Sequence, residues 1–286
     1  MLSKSPVEIV SVIRPMRGAS QAYLVQGSDN FYYVAKFTNN PEGNRTLINE
    51  CIASHLLSAL GITTPEVALL QLTDSCAGRN QLHFSTDRHE AIENGLHLGS
   101  KCPVDPESVA IFDFLPSRLY SHISNLAEVG IVFAFDFWVC NIDHRQFIFA
   151  RKRHALASKH GRRTGLTAWA IDNGRCFGRN WKPRAAYPLV RRPTLPIYRH
   201  CPLAESALTG AKLIRDLPAA VIESSHRQIP RSWFGERDEE ALAVMLCALQ
   251  ERQQHSSTAI EEQFRRRLGD AVPDQAAVSW QSDPVA

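Results

Sequence analysis

The stretch from Asp136 to Gly174 constrains this chain most. It reads Asp136-Phe-Trp-Val-Cys-Asn141-Ile-Asp143-His-Arg-Gln146-Phe-Ile-Phe149, then a basic insert, then Leu166-Thr-Ala-Trp-Ala-Ile171-Asp172-Asn-Gly174. The pattern predicts two short apolar strands, 146–150 and 166–171, with Asp143 just before the first and Asp172 just after the second. Paired as a hairpin, they would carry both carboxylates at one end. That placement suits phosphoryl transfer, where one carboxylate receives the acceptor's proton and another holds a metal ion at the phosphates.

Upstream, the chain predicts strands at 8–13, 21–26 and 31–37, with a turn at Pro15–Ser20 and hairpin chemistry at Gly27-Ser-Asp-Asn30. Period two places Lys36 with Val34 and Tyr32 on one face, and Phe31, Tyr33, Ala35 and Phe37 on the other. A lysine ending an apolar strand is either an edge charge that discourages aggregation or a cation aimed at phosphate oxygens. A helix over 46–60 follows, stopped by Gly61 and Pro65, with Ile48, Ile52, Leu56 and Leu60 as its apolar stripe. Glu50 lies off that stripe among Leu47, Ser54 and Leu57. It is either a solvated first-turn glutamate or the partner of Lys36. Gly18-Ala19-Ser20 at the first turn could cover phosphates with backbone N–H groups, although no Walker A or G-x-G-x-x-G sequence occurs.

Other parts of the chain mostly exclude. A net charge of +3 on 286 residues does not point to nucleic acid. The start lacks a signal-peptide core, and no apolar run is long enough to span a bilayer. Seven scattered cysteines without a C-x-x-C pair argue against a disulfide framework or zinc site and fit a reducing cytoplasm. Asp87-Arg88-His89 imitates a kinase triplet, but Ile92 stands where a metal-binding asparagine should fall, and no strand follows. Residues 73–107 read as irregular, 109–114 as a strand marking the crossing between lobes, and 126–139 as a buried helix. Asp136, nearly alone as a charge in that helix, is expected to brace the following loop through backbone N–H groups or Arg145.

Together, Asp136-x-Trp138-x-x-Asn141-x-Asp143, the strand after it, and Ile171-Asp172-x-Gly174 resemble the HipA-like family of bacterial serine/threonine kinases. Gly18-Ala19-Ser20, Val34-Ala35-Lys36-Phe37, Asn49-Glu50, Leu60-Gly61-Ile62-x-x-Pro65, Gly95-Leu-His-Leu-Gly-Ser100 and Asp113-Phe-Leu-Pro116 agree, over roughly residues 10–250. The resemblance implies a two-lobed α+β kinase fold, with a β-rich nucleotide-binding lobe over 1–110, a mainly helical catalytic lobe over 111–269, and a tail over 270–286. It implies ATP and Mg²⁺ as cofactors. Lys36 would hold the phosphates and Glu50 would orient it. Asp143 would be the base, Asp172 a metal ligand, and Gly18, Ala19 and Ser20 the loop over the phosphates.

One position departs from the pattern. The asparagine expected five residues after the base is Ile148, which cannot ligate a metal. Gln146 carries the same amide chemistry on a longer arm, and its oxygen suits a hard cation, so it is taken as the substitute ligand. The basic run from Arg151 to Arg163 reads as a solvated loop or a contact for an acidic protein substrate. Residues 175–200, rich in Arg, Pro and Tyr, have the place of a substrate-docking segment, and Ser20 that of an autophosphorylation site. Apolar stripes at 242–249 and 260–268 predict packing helices. The expected partners are a protein substrate and a small antitoxin-like protein, without direct nucleic-acid binding and without a membrane. The alternatives are a nucleotide-binding regulatory module with little turnover, and a small-molecule or lipid kinase on the same scaffold.

Overall fold

A computed structural model of the chain describes residues 5–74, 76, 82–85, 90–151, 165–178, 180–181 and 195–269. The Asp87-Arg88-His89 triplet, the basic insert beyond Arg151, most of the Arg/Pro/Tyr-rich segment and the expected tail lie outside the described residues.

Strands β1 (Val7–Pro15), β2 (Tyr23–Gly27) and β3 (Tyr32–Lys36) follow one another antiparallel. With β4 (Val67–Leu72) and β5 (Gly95–Lys101) they close a barrel in the order β1-β2-β3-β5-β4. Period two fills its interior with Ile9, Val25, Tyr33, Ala35, Phe37, Leu70 and Leu72. Phe31 does not join them. It precedes β3, stays half exposed, and stacks under the Lys101 ammonium at 3.2 Å. β5 lies within the stretch expected to be irregular, yet it is central, paired to β3 on one side and β4 on the other. Its Gly99 makes room for β4: a Cβ there would meet the Leu70 side chain at 2.7 Å. His97 of β5 is fully buried. It accepts from the Thr38 N–H on Nδ1, so Nε2 carries the proton and donates to the Glu93 carbonyl at 2.9 Å. Burial pushes its pKa down to about 4, which keeps the ring neutral.

Helix α1 (Asn44–Ala59) ends as expected. Gly61 sits at φ 73, its N–H bonds to Ser58 O, and the Ile62 N–H bonds to Leu57 O, which together form a Schellman motif. The helix is buried almost all round. Leu47, Ile48, Ile52 and Leu56 belong to the larger core that also contains the helices downstream, while the barrel interior is a separate cluster.

The expected 109–114 strand shrinks to β6 (Ile111–Phe112), which pairs with β7 (Gln146–Arg151). β7 pairs in turn with β8 (Leu166–Ile171), giving a three-stranded antiparallel sheet. Helix α2 (Leu126–Trp138) lies in the chain between β6 and β7, and α3 (Leu203–Asp216) approaches α2 closely because Gly210 has no side chain. A Cβ at that position would lie 2.8 Å from Ala134. α4 (Ala219–Ser224) and α5 (Asp238–Gly269) complete the packing. The two downstream apolar stripes belong to this one continuous α5. Its polar middle is also bound inward: the Gln253 amide donates to Ile214 O and Leu217 O, both at 2.6 Å, at the end of α3. A β-rich N-terminal part is thus followed by a helical C-terminal part. No helix among the described residues is long and apolar enough to cross a membrane.

Candidate active site

Local chain stops aim the site residues. α2 ends with Cys140 in the left-handed region at φ 52, and the Asn141 N–H returns to Asp136 O at 2.9 Å. This turn directs the 141–145 loop back over the helix end. There Asp136 accepts from Asn141 Nδ2 at 3.0 Å and is forked by the Arg145 guanidinium through Nε, at 3.0 Å, and Nη2. The expected brace of this loop is therefore made by Arg145, together with Asn141. The remaining Arg145 nitrogen, Nη1, donates to Ile171 O at 3.0 Å and Asn173 Oδ1 at 2.6 Å, on both sides of Asp172.

Asp172 itself is left-handed, at φ 59. A non-glycine residue there stores on the order of 1 kcal/mol and persists only where its surroundings fix it. Here they do. The Asn173 N–H donates to Glu50 Oε2 at 2.9 Å and Asn173 Nδ2 to Glu50 Oε1 at 3.2 Å. Asn49 Nδ2 reaches the carbonyls of Gly174 and Cys176, and Trp181 Nε1 donates back to Asn49 Oδ1. The segment after Asp172 is thereby fastened to α1.

Three sequence-selected residues meet at this point. Lys36 Nζ lies 3.0 Å from Glu50 Oε2 and 2.9 Å from Asp172 Oδ1. Glu50 is buried, whereas the Asp172 side chain is 39% exposed to solvent. Burial alone would lower the Lys36 pKa, but the charges of Glu50 and Asp172 outweigh it and hold the ammonium firmly protonated. Lys36 in turn pulls Asp172 below the usual carboxylate range, against the opposing effect of burial.

Gln146 joins the group through Nε2, which donates to Asp172 Oδ2 at 2.9 Å. Its amide thus faces Asp172 nitrogen first, and a half-turn of the amide would present the oxygen instead. Among the described residues no cluster of three His, Cys, Asp or Glu forms a ready-made metal cage. One carboxylate with one amide, both open to solvent, fits a Mg²⁺ ion that keeps most of its water ligands. Ile148 pairs with Trp169 inside the sheet, on the strand rather than in the loop before it.

Asp143 sits in the loop before β7. Its backbone N–H is held by Asn141 Oδ1 at 3.1 Å, and its Oδ1 accepts from the His144 N–H at 2.8 Å. Gly18, Ala19 and Ser20 form the β1–β2 turn. Tyr23 pairs with Ala35, so this turn stands at the same end of the barrel as Lys36. Arg175 and Asn173 escaped sequence reasoning, and Asn49 entered it only beside Glu50 in the family pattern. Arg175 follows Asp172 by three residues, donates to Glu42 at 2.8 Å and stands 3.6 Å from Asp143.

Comparison with known proteins now adds to this geometry. Residues 9–157, just over half of the chain, match the HipA-like kinase family. The chain belongs to the HipA-like kinase family. The match includes Lys36, Glu50, Asp143 and Gln146 and stops short of Asp172, whose inclusion in the site rests on the geometry above. No curated protein matches the chain. Among solved structures, that of the Golgi casein kinase superposes with a TM-score of 0.50 at 16% identity, over 92% of this chain and 74% of that one. A structure of the Golgi casein kinase with Mn/ADP bound gives 0.49 at 14% identity, over 92% and 75%. At such identity the first likeness concerns the fold: this HipA-like kinase has the two-part, α+β architecture of a protein kinase.

Proposed function

We propose that this HipA-like kinase transfers the terminal phosphoryl group of ATP, in a Mg²⁺-dependent reaction, to a serine or threonine hydroxyl of a protein. The observation that carries this reading is the Lys36 ammonium held between Glu50 and Asp172. A lysine fixed on a rigid strand by a buried glutamate can meet phosphate oxygens without reorganising, and preorganised charge of this kind supplies most of the barrier reduction in phosphoryl transfer. Asp143 accepts or orients the acceptor's proton. Asp172 and, after its amide turns, Gln146 hold the metal, which would supply charge neutralisation at the phosphates. The Gly18–Ser20 turn covers the phosphates from the barrel side. The acceptor is a protein, and a small antitoxin-like protein is a second partner. The absence of paired cysteines supports a reducing, cytoplasmic setting.

Ile148 supports a second reading, a nucleotide-binding regulatory module with little turnover, because it removes one expected ligand. Incubation with labelled ATP and Mg²⁺ separates the two. Wild type should label itself or a co-purified partner, and Asp143→Ala should not. Equal labelling by both proteins removes Asp143 from its role. Nucleotide binding without any labelling favours the regulatory module. Mass spectrometry of the labelled protein checks Ser20, which should be the modified residue if the phosphate loop is the autophosphorylation site.

A further inference from the structure

Three loops meet at Arg175. Its backbone carbonyl accepts from the Ile142 N–H at 3.2 Å, which ties the segment after β8 to the loop that carries Asp143. Its side chain then spans two carboxylates: Nη2 donates to Glu42 Oε1 at 2.8 Å, and Nε faces Asp143 Oδ2 at 3.6 Å. Glu42 belongs to the loop between β3 and α1, and that loop is stiff. The Glu42 N–H donates to Asn40 Oδ1 at 2.8 Å, and buried Asn40 donates to Phe37 O at 2.6 Å. The other Asp143 oxygen accepts from the His144 N–H, so both carboxylate oxygens of Asp143 are oriented, one by its own loop and one by Arg175. The hydrogen bond to Glu42, against the smaller opposing effect of burial and with the charges of Asp143 and Asp172 adding to it, keeps the guanidinium charged.

We infer that Arg175 is a positioning residue: it sets the orientation of the base Asp143 and, through Glu42, makes that orientation depend on the β3–α1 loop. The inference rests on the kinase reading above. The two carboxylates are met by separate guanidinium nitrogens, Nη2 and Nε, held in one rigid plane, a fork that a lysine's single ammonium does not reproduce. Glu42 acts through Arg175, so the two residues form one unit. An oriented base matters because a misplacement of about 1 Å can cost roughly 100-fold in rate.

The test measures ADP formation from Mg·ATP, in which the terminal phosphoryl group passes to water or any available hydroxyl and ADP leaves, for wild type, Arg175→Ala, Arg175→Lys, Glu42→Gln and the double variant Glu42→Gln/Arg175→Ala. Arg175→Ala should lower kcat by about 10- to 100-fold while KM for ATP stays within about 2-fold. Arg175→Lys should recover only part of the loss. Glu42→Gln should lower kcat by less, about 3- to 10-fold, and should add nothing in the Arg175→Ala background. If Arg175→Ala fails to fold by thermal unfolding, Arg175→Lys and Glu42→Gln carry the test. Wild-type kcat in the Arg175 variants, a change confined to KM, or an undiminished Glu42 effect in the double variant overturns the inference alone. A wild-type protein that forms no ADP overturns the kinase reading and the inference together.

Discussion

Two polar clusters flank Asp172, built from the same chemistry and set apart by water. Behind it, Asp136 and Arg145 form an ion pair that is almost wholly excluded from solvent, with Asn141 and Asn173 meeting the remaining donors and acceptors. In front, Lys36 pairs with Glu50 and Asp172, but Asp172 and Gln146 open to solvent. A buried pair with every group satisfied fixes a shape. A pair with one accessible member can exchange partners, as a ligand site requires. The clusters join through Asn173, which bonds Arg145 on one side and Glu50 on the other. The rear cluster therefore holds the front one in register, at the left-handed Asp172.

The sharpest way to break this division is to remove the rear cation. Arg145→Ala leaves Asp136 buried without its partner, so unfolding should become easier by about 3–5 kcal/mol, visible as a large fall in Tm. Lys36→Met should cost about 100- to 1000-fold in phosphoryl transfer; it also leaves buried Glu50 without its cation, so Tm falls as well, by less than in Arg145→Ala because Glu50 keeps both Asn173 donors. Gln146→Ala should weaken Mg²⁺-dependent ATP binding by about 10-fold, the lower end of the roughly 10- to 100-fold loss typical when a residue that supports a metal site is removed. Unchanged metal dependence in that variant removes Gln146 from the ligand set.

The smallest effect is the pH response of the front pair. Asp172 titrates below its ordinary value in the folded chain, so the unfolded state binds more protons as the pH falls. Its contribution to stability is present above the unfolded pKa of about 4 and is lost as the pH falls through the lowered folded value. The Tm difference between wild type and Asp172→Asn should therefore narrow below about pH 4, as followed by thermal unfolding across a pH series.

The legible parts of the molecule were those with local signals. α1 carried a four-residue apolar repeat and a glycine stop, and both hold in the structure. Lys36 and Glu50 stood at a spacing that the strand and helix convert into contact, and Asp136 was one of only two charges, with Glu128, in an apolar helix with Arg145 within reach. β5 was missed because two glycines and a histidine weaken the strand pattern. Their reasons are tertiary, since Gly99 clears Leu70 and His97 bonds to the backbone on both sides. α5 was read as separate stripes because Gln253 and Ser257, polar by type, face inward and bond to the end of α3 and to Ala211. Arg175 and Asn173 gave no signal, and Asn49 entered only beside Glu50 in the family pattern, without a role. Their partners lie more than a hundred residues away or in loops whose meeting only the fold decides.

The most direct test of the division between the clusters is a paired measurement on Asp172→Asn and Asp136→Asn, reading Tm and Mg²⁺-dependent ATP affinity for each. Asp172→Asn should lose metal-dependent nucleotide binding while its Tm moves by a few degrees at most, on the order of 1 kcal/mol for a partly exposed pair. Asp136→Asn should lose Tm first, and bind nucleotide normally at temperatures where it remains folded. Full nucleotide affinity in Asp172→Asn, or an unchanged Tm in Asp136→Asn, would contradict the account.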